Sequence, residues 1–206
     1  MNDESCVYSC NSFFGSLCKQ REFDKATKLL EVECINVNWR DMLDETHLMI
    51  ACEEENIDAV SFLLEKGADV NAKQYFQNCQ GVTALLKAAA GGYTEIVKIL
   101  LENGADVYAK TGAGNTALMK ASEGGYIEAV SMLVEMGADV NAKDNWGMTA
   151  LMKARQRGHE AVVRLIINHM NRMTLLVVEK GRTKDENPLA THSHKEIAKH
   201  IASFLL

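Results

Sequence analysis

Three histidines, His192, His194 and His200, lie near Asp185 and Glu186 and form the one His/carboxylate cluster of the sequence. An HxH pair can hold zinc, but the i, i+4 spacing of a helical site is missing, and beside a polar helix start such histidines read as surface residues. The six cysteines (Cys6, Cys10, Cys18, Cys34, Cys52, Cys79) contain no CxxC pair. They read as reduced, small apolar side chains in a reducing compartment, although any one of them is in principle a reactive thiol. The segment GAGNTA at 112–117 looks like the opening of a phosphate-cradling loop, but it lacks the third glycine and a preceding buried strand. Asp69, Asp106 and Asp139 form a regular acidic ladder suggestive of calcium or catalysis. Each follows Gly-Ala in a turn, however, where Asp bonds its own backbone. No Ser-His-Asp or Cys-His arrangement can be picked out by spacing. The sequence therefore assigns no catalytic residue, no metal ligand and no cofactor, and the expectation is a protein that is not an enzyme.

The elements that would carry any site are periodic. TALMKA occurs at 116–121 and again at 149–154, and Thr46, Thr83, Thr116 and Thr149 recur at spacings of 37, 33 and 33. Gly67-Ala68-Asp69, Gly104-Ala105-Asp106 and Gly137-Ala138-Asp139 keep step with them. A period near 33 residues marks an array of supersecondary units. Each unit starts with a threonine able to cap a short apolar helix. A glycine pair (Gly91-Gly92, Gly124-Gly125) or Gly158 then permits the left-handed turn that ends it. A second helix follows, with apolar residues at helical spacing as in Ile96, Val97, Ile99, Leu100 and Leu101, and the GAD glycine ends it. DVNAK or DVYAK then forms an extended tip.

These residues resemble the ankyrin repeat family, whose unit reads T-P-L-H-x-A, then G-H, then G-A-D-V-N-A. The resemblance implies an all-α fold, an ankyrin repeat solenoid of helix pairs with short β-hairpin fingers. It divides the chain into a degenerate N-terminal capping repeat (1–40), repeats at 41–73, 74–110, 111–143 and 144–170, and a degenerate C-terminal cap (171–206). In the first of these, REFDKATKLLE (21–31) stands for the G-H helix. The family's proline and histidine are replaced by His47 and Met49, Ala84 and Leu86, Ala117 and Met119, and Ala150 and Met152. Without that histidine the family's loop-to-loop hydrogen bonds are expected to be missing, with methionine packing in its place. The 74–110 unit carries four additional residues in its finger, QYFQNCQG. Beyond 170 the expectation is a left-handed cap at Asn171, an extended segment over TLLVV (174–178), and a last amphipathic helix within 193–201.

Composition bounds the function. A chain of 206 residues can bury roughly 70% of its unfolded surface. A net charge of −6 gives no footprint for nucleic acid or an anionic membrane. No apolar run reaches the roughly 18 residues of a spanning helix, and the acidic opening MNDESCVYS is unlike a secretory leader. The expected location is the cytoplasm, with the nucleus or a host cytosol as alternatives. The charge is polarised: residues 144–206 hold ten Lys and Arg against six Asp and Glu, and the remainder is strongly acidic.

The family resemblance implies a protein partner, with no nucleic acid or membrane, met by finger tips and the inner face of the first helices. The array itself is expected to be monomeric. At those positions stand Met42, Leu43, Val82, Trp146 and Met148, with Tyr75 and Phe76 on the lengthened finger. Exposed aromatic rings are frequent anchors of binding energy, although they can equally pack on neighbouring fingers. Charged groove positions are Glu53 and Glu54, Glu123, and Arg155 with Arg157. The long finger is the expected principal contact. The competing reading is an adaptor or enzyme-associated protein whose tail, 171–206, carries a metal-dependent or recruiting activity.

Overall fold

The computed structural model describes residues 3–30, 35–76 and 80–182. Among them are ten helices: α1 (Asp3–Lys19), α2 (Phe23–Leu30), α3 (His47–Glu53), α4 (Ile57–Glu65), α5 (Ala84–Gly91), α6 (Thr94–Glu102), α7 (Ala117–Gly124), α8 (Ile127–Glu135), α9 (Ala150–Arg157) and α10 (Glu160–Arg182). Consecutive helices pack in pairs, α1 with α2, α3 with α4, α5 with α6 and α7 with α8. The first helices stack on one another through α3, α5, α7 and α9, and the second helices through α4, α6 and α8. The described fingers contain no continuous strand. Their hairpin character rests on two isolated antiparallel bridges, Arg40 with Thr46 and Gln74 with Val82.

Each helix starts and stops for a local reason. Thr46, Thr83, Thr116 and Thr149 are extended N-caps whose hydroxyls accept from the main-chain N–H of Met49, Leu86, Met119 and Met152. α5, α7 and α9 end at Gly92, Gly125 and Gly158, all left-handed. Two of these glycines are needed twice over. A Cβ on Gly92 would lie 2.4 Å from the Tyr126 ring, and one on Gly125 would lie 2.5 Å from the His159 ring. Tyr126 and His159, which precede α8 and α10, therefore rest on the bare backbone turns of the preceding repeats.

The core is the same pair of positions written repeatedly. Val60 and Leu63, Val97 and Leu100, and Val130 and Leu133 are fully buried along the second helices, as are Leu48, Leu85 and Leu118 on the first helices to within 1%. The matching Leu151 of α9 is only half-buried, and Met152 is 48% exposed where Met119 is 1% exposed; α7 is covered by the first helix that follows it, α9, and among the described residues no first helix follows α9.

α10 corrects two expectations. Thr174–Val178 is helical rather than extended, and Asn171 lies inside the helix instead of capping it. No proline or glycine interrupts the chain between residues 160 and 180. A few β-branched residues cost only some tenths of a kcal/mol each in a helix already running. The helix through Ile166 belongs to one compact unit, and from Ile167 onward to a second. The expected terminal helix at 193–201 and the His192, His194, His200 cluster lie outside the described residues.

The N-terminal pair departs most from the repeating pattern. Where the family has proline, His47 is 5% exposed, with its ring edge-on to Phe14 at 5.2 Å and stacked on Trp39 at 5.5 Å. A side chain at Gly15 would strike its imidazole, so α1 seats against α3 through this ring. Burial, opposed by Asp41 and aided by Lys19, lowers the pKa of His47 to about 4. The left-handed turn after α3 falls on Glu55, with φ 55°, where the following repeats place glycine.

Two outcomes follow from these departures. Glu55→Gly removes a Cβ clash from a left-handed residue and should raise stability by about 1 kcal/mol, read as an increase in melting temperature. His47 gives up its proton on folding, so below its unfolded pKa of about 6.5 the unfolded chain binds more protons than the folded one. Stability is full above that value and falls as pH drops toward about 4. Between about pH 7 and pH 5 the loss should be about 2 kcal/mol, and His47→Gln should flatten the dependence of the melting temperature on pH.

Candidate functional site

The finger tips are fixed by their own backbone. In the tip at 41–45 the Asp41 carboxylate accepts from the N–H groups of Leu43 and Glu45 at 2.8 and 2.9 Å. That turn holds Met42 73% and Leu43 50% exposed. In the tip at 144–148 the Asp144 carboxylate accepts from the N–H groups of Trp146 and Met148 at 3.0 and 2.9 Å. Trp146 is 73% exposed at its apex, and Met148 is half-buried. Asp144 is itself buried. Burial works to raise its carboxyl, but Lys153 at 2.9 Å and the two main-chain donors outweigh it and hold it below the usual carboxylate range. In the lengthened finger Gln74 and Val82 form the bridge, Tyr75 is exposed, and Phe76 is half-buried. Val82 is half-buried as well. Residues 77–79 of this finger lie outside the described part.

Neighbouring tips are joined by amide side chains. The Asn38 oxygen accepts from Asp69 N–H at 2.7 Å and the Asn71 oxygen from Asp106 N–H at 2.8 Å, while the Asn71 amide donates to the Gly104 carbonyl at 3.0 Å. Gln74 donates to the Leu43 carbonyl at 2.8 Å, and Asn145 to that of Gly112 at 2.9 Å. Tyr75 N–H donates to the Asp44 carboxylate at 2.7 Å, which ties the long finger to the tip before it. The loops are thus linked by side-chain amides, while methionine packs at the histidine position, with Met49 and Met119 buried. A sequence signal was available: Asn38, Asn71 and Asn141 occupy one register, and a side-chain amide offers a donor and an acceptor on separate atoms. The acidic ladder behaves as turns do, with Asp69, Asp106 and Asp139 each accepting at 2.9 Å from the N–H two residues on.

The groove charges are spent largely within the array. Glu53 pairs with Lys87 at 2.8 Å, Glu54 pairs with Lys19, and Glu123 pairs with Arg157 at 2.7 Å. The Arg157 hydrogen bond is the main reason the Glu123 carboxyl is lowered. Arg155 stands exposed beside them. The sequence brings these residues to one face, but it does not reveal that each acid is matched to a cation of an adjacent repeat.

A cleft of about 350 Å³ lies between the first two pairs, lined among others by Cys18, Lys19, Trp39, Asp41 and His47. Its chemistry is muted. Burial pushes the Cys18 thiol up to about 11, so at neutral pH it is neither thiolate nor ready nucleophile. His47 is a neutral, weakly basic imidazole whose Nε2 has no hydrogen-bond partner. Cys52 is likewise buried, its thiol at about 12. Among the described residues no group of three or more His, Cys, Asp or Glu is placed to hold a metal ion. No described helix is long and apolar enough to cross a membrane.

Comparison with known proteins agrees with this architecture. The family model described as ankyrin repeats (3 copies) matches residues 16–74 and 72–144, and that described as ankyrin repeat matches 146–174. The human ankyrin repeat and KH domain-containing protein 1 is 41% identical over 64 residues, 31% of this chain and 2% of that protein. The putative E3 ubiquitin-protein ligase XBAT34 of Arabidopsis thaliana is 39% identical over 80 residues, 38% of this chain and 21% of that protein. The human ankyrin repeat and SOCS box protein 6 is 42% identical over 88 residues, 39% of this chain and 20% of that protein. The matched part thus spans about a fifth or less of each relative. Capped helix pairs stacked at a period near 33 residues, amide-linked finger tips and family models matching most of the sequence together place this chain in the ankyrin repeat family, whose repeats are protein-interaction modules.

Proposed function

We propose that the chain is a non-enzymatic protein-binding module, acting as an adaptor, scaffold or inhibitor, and that it meets its partner through the finger tips and the inner groove. The observation that carries this reading is a row of exposed apolar side chains on preordered turns, with Trp146 73%, Met42 73% and Tyr75 59% exposed. Large rings held on a backbone that is already hydrogen-bonded bind with little further loss of entropy, and such rings are frequent energetic anchors. Val82, Met148 and the half-buried Phe76 border the row, and Glu53, Glu54, Glu123, Arg155 and Arg157 set its polar surroundings. The raised thiol and lowered imidazole at the N-terminal cleft suit packing better than catalysis. Relatives whose names join ankyrin repeats to a KH domain, a SOCS box or a ubiquitin ligase suggest an arrangement in which the array supplies binding and another module the activity.

The double variant Tyr75→Ala with Trp146→Ala tests the tips. Both side chains are largely exposed, so the melting temperature should stay near wild type. Proteins retained by the wild-type array from a cell lysate should bind the variant at least about tenfold more weakly, equivalent to about 1.4 kcal/mol. Unchanged retention moves the contact away from the tips to the groove, and a collapsed melting temperature assigns the rings to the core.

A further inference from the structure

The first helices of three successive repeats carry a lysine at one register, Lys87 in α5, Lys120 in α7 and Lys153 in α9. Two of the three are matched inside the array. Lys87 Nζ lies 2.7 Å from Glu45 and 2.8 Å from Glu53 of the preceding repeat. Lys153 Nζ lies 2.9 Å from Asp144 of its own finger. For Lys120 neither arrangement is available. Val82 occupies the position that Glu45 holds for Lys87, Ala90 that of Glu53, and Thr111 the position that Asp144 holds for Lys153. Among the described residues Lys120 makes no ion pair. Its field reaches Glu123, but that carboxylate is hydrogen-bonded to Arg157 at 2.7 Å.

A second group on the same repeat is also unsatisfied. Asn115 precedes the cap Thr116, is 8% exposed, and its side-chain oxygen has no hydrogen-bond partner. By register it stands where Glu45 stands two repeats earlier. A buried amide oxygen is costly to leave unmatched, because it has lost water without gaining a protein partner. The residues that follow are predominantly cationic, with Lys153, Arg155 and Arg157 on α9. The cluster Glu53, Glu54 and Glu55 lies toward the other end of the row of first helices.

We infer that Lys120 and Asn115 receive an Asp or Glu side chain from an extended segment of the partner protein. The carboxylate stands on Lys120 as Glu45 stands on Lys87, and a donor next to it in the segment, such as its main-chain N–H, satisfies Asn115. This inference rests on the protein-binding reading above and adds the chemistry and register of the bound segment. The acids at the N-terminal end disfavour a carboxylate there and keep it over the fourth and fifth pairs. In a chain of net charge −6, a lysine set between matched neighbours at its register fits one carboxylate, not the continuous charge of a nucleic-acid backbone.

Selection from a random displayed peptide library, run in parallel on wild type, Lys120→Glu and Lys120→Gln, tests it. Wild type should select peptides with Asp or Glu at one fixed position. Lys120→Gln should lose that preference, and Lys120→Glu should lose it or replace it with Lys or Arg. An acidic peptide from the wild-type pool should bind Lys120→Glu at least about tenfold more weakly, an effect that shrinks with added salt. Both variants should melt close to wild type, because neither breaks an internal ion pair. Peptides without acidic preference, acidic peptides bound equally well by all three proteins, or no selected peptide at all would each overturn the inference. The role of the finger tips would survive any of these, since it is decided by Tyr75 and Trp146.

Discussion

Helices of seven to nine residues, the length of α3 through α9, are too short to persist alone in water, so every one of them depends on the repeat stacked beside it. That dependence is the constraint from which the remaining features follow. Val60 and Leu63, Val97 and Leu100, and Val130 and Leu133 recur because each apolar pair must fit between matching pairs on either side. The stacking also requires the backbone turn between the two helices of a repeat to stay low. Gly92 and Gly125 satisfy this, and the rings of Tyr126 and His159 settle onto the space they leave.

Polar groups are arranged by the same repeat-to-repeat logic. Tips and inner edges meet at fixed spacing, where Asn38 and Asn71 accept from main-chain N–H groups and Gln74 and Asn145 donate to main-chain carbonyls across the gaps. Charged residues are matched in the same way, through Lys87 with Glu45 and Glu53 and through Arg157 with Glu123. These pairs orient side chains across repeats more than they stabilise the array, since the more exposed of them are screened by water.

The two ends obey the constraint less closely. At the N-terminal end a buried neutral histidine replaces a rigid proline and a strained Glu55 replaces glycine, so this pair is the one most sensitive to acid and the one with most room for improvement. At the other end α9 leaves Leu151 half-buried and Met152 exposed, and α10 runs on past the length of the other second helices. Nothing in residues 171–180 forces a stop, and a growing helix adds a hydrogen bond for each residue it orders.

The repeating architecture was legible in the residues themselves, because capping threonine, left-handed glycine and helical apolar spacing are local requirements that leave a local signature. The turn role of Asp69, Asp106 and Asp139 was legible for the same reason. Whatever depends on which side chains meet across repeats was decided only by the tertiary structure. The amide links between tips, the pairing of Glu53, Glu54 and Glu123, the burial of His47 between Phe14 and Trp39, and the isolation of Lys120 all join residues that stacking brings together from distant parts of the sequence. The helical state of Thr174–Val178 was likewise hidden, since β-branched composition favours strands only where a sheet exists to receive them, and none does among the described residues.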